Sequence, residues 1–244
     1  MKTLTEILNQ QKHSFHKVVD FSEKDIITAL DLTKNNASLT EFIFNDTEAF
    51  TQYIQQQLAK TNSRYLIGGY NEHREMYKRS ALFGFEQSNL RTADIPFKNN
   101  NEPRRLHLGI DIWGAAGTKV YTPLGGMVHS FANNNNYGDY GATIILQHQI
   151  DTIQFHTLYG HLSLKDIATL RKGQVITRGQ CFAHFGVPLE NGNWPPHLHF
   201  QIMEDMEMME GDYPGVCKIS EAAKYLHNCP DPNLILNMQP HENA

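Results

Sequence analysis

Histidines set beside carboxylates and beside one another are the residues of this chain best placed to do chemistry. The run His197-Leu198-His199-Phe200-Gln201-Ile202 alternates polar and apolar residues strictly, the pattern of a half-buried strand. Side chains at i and i+2 share a face, so both imidazoles stand together, opposite Leu198, Phe200 and Ile202. In His107-Leu108-Gly109-Ile110-Asp111, an imidazole and a carboxylate four residues apart project the same way from a strand or from one helical turn. Both are ordinary zinc donors, at roughly 2.0–2.2 Å. A third segment, Tyr159-Gly160-His161-Leu162-Ser163, puts a histidine on a loop expected to end a strand. Each segment alone has a plainer reading, as a chance pair, a surface His–Asp pair or a loop histidine. His129, His148, His156 and His184 have no such partners and are read as structural or surface residues.

Counting joins the segments. A catalytic zinc takes three protein ligands and keeps a fourth position for water. His107, Asp111 and one of His197 and His199 make three, leaving one histidine beside the metal and His161 over. Amide hydrolysis needs such a remainder: a group to take a proton from water and donors for the developing oxyanion.

The three motifs in this order, His-x-Gly-Ile-Asp, Tyr-Gly-His-Leu-Ser and His-Leu-His-Phe, resemble those of the lysostaphin-like (LytM-type) zinc metallopeptidases. The similarity covers about residues 105–205. It implies Zn2+ held by His107, Asp111 and His199, with His161 and His197 as the catalytic histidines. It also implies an antiparallel β-fold related to duplicated hybrid motifs, and a peptide or peptidoglycan-like substrate. One departure is the approach to the last motif, Asn193-Trp194-Pro195-Pro196, where many members of that family are glycine-rich. Two prolines stiffen that loop and remove backbone donors. The rival readings are a non-catalytic module that keeps the groove to hold a partner, a structural zinc site and a phosphoryl carrier. The complete set of five residues weighs against the first, and the lack of a fourth, cysteine-type ligand against the second. The third leaves Asp111 unexplained.

The elements that must position these residues divide the chain into three parts. Residues 1–66 read as an N-terminal helical region packing on the remainder. Ser22 is expected to start a helix carrying Ile26, Ile27 and Leu30 on one face, and Asp46 to cap another with Phe50, Tyr53, Ile54 and Leu58. Residues 67–205 read as the metallopeptidase domain. From about residue 105, short apolar runs broken by Gly, Pro and Asn predict a strand-rich fold, with residues 143–148 and 153–159 as a hairpin. Asn133 to Asn136 read as a loop, and Lys98-Asn99-Asn100-Asn101 as a surface linker. Residues 117–128 and 172–186 echo each other as two similar β-units. Residues 206–244 read as an extension wrapping the domain, for a mainly β, α+β architecture overall.

Composition bounds the rest. With 21 Lys plus Arg against 26 Asp plus Glu, the net charge of −5 argues against a nucleic-acid partner. No apolar run approaches the ~20 residues of a membrane span. No apolar stretch of roughly 7–15 residues follows the N-terminus, so a cytoplasmic location is expected, or a periplasmic or secreted one if an export segment precedes the chain. Cys181, Cys217 and Cys229 suggest no disulfide framework. Oligomeric state is not legible.

Overall fold

The structure, a computed structural model, describes residues 2–84, 102–238 and 240. The Lys98–Asn101 linker therefore lies outside the described residues. In chain order the strands are β1 (Ile27–Leu30), β2 (Tyr65–Gly68), β3 (Leu106–His107), β4 (Ile110–Trp113), β5 (Lys119–Tyr121) and β6 (Gly126–Asn134). They continue with β7 (Gly141–Ile150), β8 (Ile153–Leu162), β9 (Val175–Ile176), β10 (Cys181–His184), β11 (His197–Met203) and β12 (Val216–Cys217). Eight form one sheet in the order β1-β2-β4-β11-β8-β7-β6-β9. Only the β1–β2 pair in it is parallel. The expected mainly β fold with N-terminal helices is what forms.

The expected hairpin is β7–β8, closed at Asp151-Thr152 with Asp151 at a φ of 51°. The half-repeat has a spatial counterpart. The first strand of one copy, β5, pairs with the second strand of the other, β10, while β6 pairs with β9. Such reciprocal pairing is how two similar β-units close on each other.

Three local expectations are corrected. The segment after Ser22 is a strand, not a helix. The Asp25 carboxylate accepts from the Ser22 backbone N at 2.6 Å and from its Oγ at 2.8 Å, closing a turn. The β-branched run Ile26-Ile27-Thr28 then favours extended backbone, which β2 supplies with a partner. β11 is buried on both faces rather than half-buried. Leu198, Phe200 and Ile202 sit in the main core, while the polar face is roofed by the segment leading to β12. Finally, β6 runs through Asn134, whose amide donates to Thr143 Oγ1 and to the Gly211 carbonyl, so Asn133 and Asn134 are strand and not loop.

Among helices, α1 (Leu4–Gln11), with a Thr3–Glu6 capping box, buries Leu4, Ile7 and Leu8 in the main core. Following α2 (Glu41–Asn45), α3 (Thr47–Thr61) starts at Asp46, whose carboxylate accepts from Ala49 N at 2.7 Å. Its Phe50 packs on Trp113 and Trp194, with ring centroids 5.6 and 6.4 Å away. Cys217 and Cys229 are buried free thiols and Cys181 is exposed. No described helix is long and apolar enough to cross a membrane.

Candidate metal centre and active-site cleft

β11 and β4 are antiparallel neighbours in register, with His199 opposite Asp111 and His197 opposite Trp113. His107 lies on a different strand from Asp111. The chain leaves β3 and turns at Leu108-Gly109 before entering β4, so the i, i+4 spacing spans a bend and not one element. Gly109 is required there, because a Cβ would meet His199 Cε1 at 2.5 Å and Nε2 at 2.6 Å. Three donor atoms result in one place. His107 Nε2 is 3.0 Å from His199 Nδ1 and 3.3 Å from Asp111 Oδ1, and His199 Nδ1 is 3.1 Å from Asp111 Oδ1.

This triangle fits zinc. Tetrahedral bonds of about 2.0–2.1 Å place donors roughly 3.3 Å apart. The tautomers fit as well. His107 Nδ1 is 2.9 Å from the Gly69 carbonyl oxygen, an acceptor only, so Nδ1 carries the proton and Nε2 keeps its lone pair. His199 Nε2 is 2.9 Å from Gln201 Oε1, and the Gln201 amide nitrogen is committed to the Pro214 carbonyl and to Cys229 Sγ. That leaves His199 Nδ1 with its lone pair in the triangle. Both imidazoles thus have the outer partner that metal-ligating histidines require. Burial would raise the Asp111 pKa, but the neighbouring His107 and Arg74 hold it well below the usual carboxylate range. Burial, with Arg74 nearby, pushes His107 down to about 4, so its ring is neutral at pH 7, as a ligand must be.

The two remaining histidines sit beside the triangle. His161 is not on a loop after β8 but within it, at a bulge where the register with β7 shifts, and its φ is 63°. The bulge re-aims a side chain that regular pleating would place otherwise. Gly160 before it leaves room for the Tyr140 ring, which a Cβ would meet at 2.5 Å. His161 Nδ1 faces the Asn191 carbonyl at 2.8 Å, and His197 Nδ1 the Pro195 carbonyl at 2.7 Å. In both rings, then, Nδ1 is protonated and Nε2 is an acceptor. The two rings lie 4.0 Å apart, and His197 stacks on Trp113 at 3.9 Å. Burial pushes His197 down to about 4, and burial with the neighbouring His197 and His199 pushes His161 well below its ordinary value. The Pro195-Pro196 departure has a use here, since the carbonyl of a stiffened loop orients His197.

All five expected residues therefore come together. His148 stands apart, 2.7 Å from Thr157 Oγ1, and His184 pairs with Asp166 at 3.0 Å. His129 and His156 pair ring to ring at 5.0 Å. Sequence reasoning missed Arg74 and Tyr140. Arg74 Nη1 donates to Asp111 Oδ2 at 2.6 Å, and Tyr140 Oη lies 3.5 Å from His199 Nε2. Neither belongs to a recognisable motif, and the signals for them would have been Gly68, which clears space for Arg74, and Gly160 and Gly215, which clear space for Tyr140. A cleft of about 170 Å³ opens over the cluster, walled by Tyr77, Phe83, Tyr140, Trp194 and Tyr213.

Comparison with known proteins agrees with the motifs. Residues 105–210 match Peptidase family M23. No curated sequence matches the chain. Similar solved structures include a zinc-containing peptidase from Vibrio cholerae, at 27% identity over 44% of this chain and 30% of that chain, with a TM-score of 0.33. They include the catalytic domain of lysostaphin from Staphylococcus simulans, at 22% identity over 55% and 86%, with a TM-score of 0.35. A third is the catalytic domain of the prophage-encoded M23 protein EnpA from Enterococcus faecalis, at 19% identity over 51% and 89%, with a TM-score of 0.34. The chain spans under a third of the length of the Vibrio cholerae protein. Residues 105–210, which carry all three histidine motifs, belong to peptidase family M23, in the lysostaphin-like (LytM-type) group that those motifs resemble.

Proposed function

We propose that this protein is a zinc metallopeptidase that hydrolyses an amide bond in a peptide, of the glycine- or D-amino-acid-containing kind found in peptidoglycan. One observation carries the reading: a three-atom donor triangle with edges of 3.0, 3.1 and 3.3 Å adjoins two neutral imidazoles whose Nε2 atoms are free to accept. His107, Asp111 and His199 would hold the metal. Zinc there would supply Lewis acidity, making water a nucleophile near neutral pH and polarising the scissile carbonyl.

The chain's own residues do the remainder. Of His161 and His197, both kept neutral by burial, one accepts the proton of the attacking water at Nε2. The protonated ring hydrogen-bonds through that Nε2–H to the oxygen that gains charge, and then transfers the proton to the leaving amine. The Asn191 and Pro195 carbonyls keep each Nδ1–H in place, so the proton is exchanged only on the cleft side. The aromatic walls exclude water around the bond. A narrow cleft walled by rings favours small residues at the scissile bond, which supports glycine-type or alanine-type peptides.

The test combines elemental analysis of wild type and His199→Ala with amine release from pentaglycine and from purified peptidoglycan fragments. The expected result is one zinc per wild-type chain, none in the variant, and metal-dependent amine release from at least one substrate. No metal uptake even with added zinc would overturn the reading. Full zinc occupancy without hydrolysis of either substrate would favour a non-catalytic groove.

A further inference from the structure

We infer that Arg74, which lies outside the segment matching the peptidase family, is a positioning residue that confines Asp111 to a single metal-binding oxygen. The inference rests on the metallopeptidase reading above. Arg74 is fully buried, and its Nη1 donates to Asp111 Oδ2 at 2.6 Å, while Oδ1 is the atom in the donor triangle. A carboxylate can bind zinc through one oxygen or chelate it through both. Chelation by Asp111 would break a charge-assisted bond at Oδ2, so Arg74 holds the carboxylate to one coordination position. The fourth position then stays open for water, as catalytic zinc requires.

Two further features show that the guanidinium is built in. Its Nε donates to Glu72 Oε2 at 2.6 Å and its Nη2 to the Gly69 carbonyl at 3.3 Å, which fixes the plane of the fork. Residue 68 on β2 is glycine where the guanidinium passes, and a Cβ there would meet Nη2 at 2.8 Å. The same strap, residues 69–74, supplies the Gly69 carbonyl that orients His107. The strap at residues 69–74, ahead of the family-matching segment, therefore completes the candidate metal centre.

The role has a distinctive sign. A cation beside the donor set repels a divalent ion, so Arg74 is not there to tighten metal binding. Its loss relieves that repulsion and frees Oδ2 to chelate. A residue that merely scaffolds the site would do the opposite and weaken affinity when removed.

The experiment loads wild type, Arg74→Met, Arg74→Lys and Gly68→Ala with cobalt(II). It records visible d–d absorption, metal affinity by competition with a chromophoric chelator, and circular dichroism as a check on folding. In Arg74→Met, affinity should hold or rise, while the absorption weakens as the coordination number increases. Amide hydrolysis should fall roughly tenfold or more at full metal loading. Arg74→Lys, which keeps the charge, should recover most of the absorption. Gly68→Ala presses on Nη2 by about 0.6 Å, the difference between an ordinary 3.4 Å contact and 2.8 Å, and should shift the spectrum the same way. It also supplies the reading if Arg74→Met does not fold. Spectra of the folded variants superimposable on wild type, or affinity lost with the fold intact, would overturn the inference. A wild type that takes up neither cobalt nor zinc would overturn the metallopeptidase reading itself.

Discussion

A methyl group added at Gly109 tests whether the glycine of the first motif exists to seat His199. The backbone there is outside the left-handed region, so alanine brings no φ strain. Its Cβ would lie 2.5 Å from His199 Cε1, 2.6 Å from Nε2 and 2.8 Å from the Phe200 carbonyl. Reaching an ordinary 3.4 Å contact moves the ring by 3.4 − 2.5, or about 0.9 Å. The ring cannot retreat freely, because Gln201 Oε1 holds its Nε2 at 2.9 Å and the Tyr140 ring lies 5.1 Å away. Zinc–ligand distances tolerate about 0.2 Å, so a 0.9 Å displacement should be felt at Nδ1. Gly109→Ala is expected to weaken zinc binding roughly 10–100-fold, which is about 1.4–2.8 kcal/mol. Overpacking should cost about 1–3 kcal/mol of stability besides. Zinc affinity would be read by chelator competition and stability by urea unfolding of the metal-free protein. Gly125→Ala, whose Cβ would meet nothing closer than 3.8 Å, is the control. Wild-type affinity and stability in Gly109→Ala would refute the argument that the motif's glycine is a steric requirement of the ligand.

Other outcomes follow from the same structure. His161→Ala should retain zinc, since its ring is outside the donor triangle, yet lose roughly 10²–10⁴-fold in turnover; unchanged turnover would remove His161 from the mechanism. Burial lowers the pKa of His148 from 6.5 to about 4, so between those values the unfolded chain binds the proton that the folded chain refuses. Stability is then full above pH 6.5 and lost as pH falls to about 4. His148 alone accounts for about 3 kcal/mol over that interval. Chemical denaturation of wild type against His148→Gln checks this, and parallel curves over that window would contradict it. Phe50→Ala should cost about 3–5 kcal/mol by opening a cavity against Trp113 and Trp194; a loss under 1 kcal/mol in urea unfolding would show that α3 packs only loosely on the sheet.

The amino-acid pattern alone carried the chemistry and the main sheet elements. Alternation in His197–Ile202 places two imidazoles on one strand face whatever surrounds it, because side-chain direction in a strand has period two. The β7–β8 hairpin and the Asp46 cap were legible for the same local reason. Local pattern failed where a partner far along the chain decides the state. Ile27–Leu30 is a strand because β2 pairs with it, and β11 is buried on both faces because the segment before β12 roofs it. His161 needed a bulge, which depends on the register of two strands and leaves no trace in Tyr-Gly-His. Residue types and spacing determined which donors exist. They left open which nitrogen of His107 faces the donor triangle, which nitrogen of His161 faces the cleft, and that Arg74 occupies the second oxygen of Asp111. Only the tertiary structure decided these, because they belong to the Gly69 and Asn191 carbonyls and the buried Arg74 guanidinium, contacts 30 to 38 residues away in the chain and invisible to any local period.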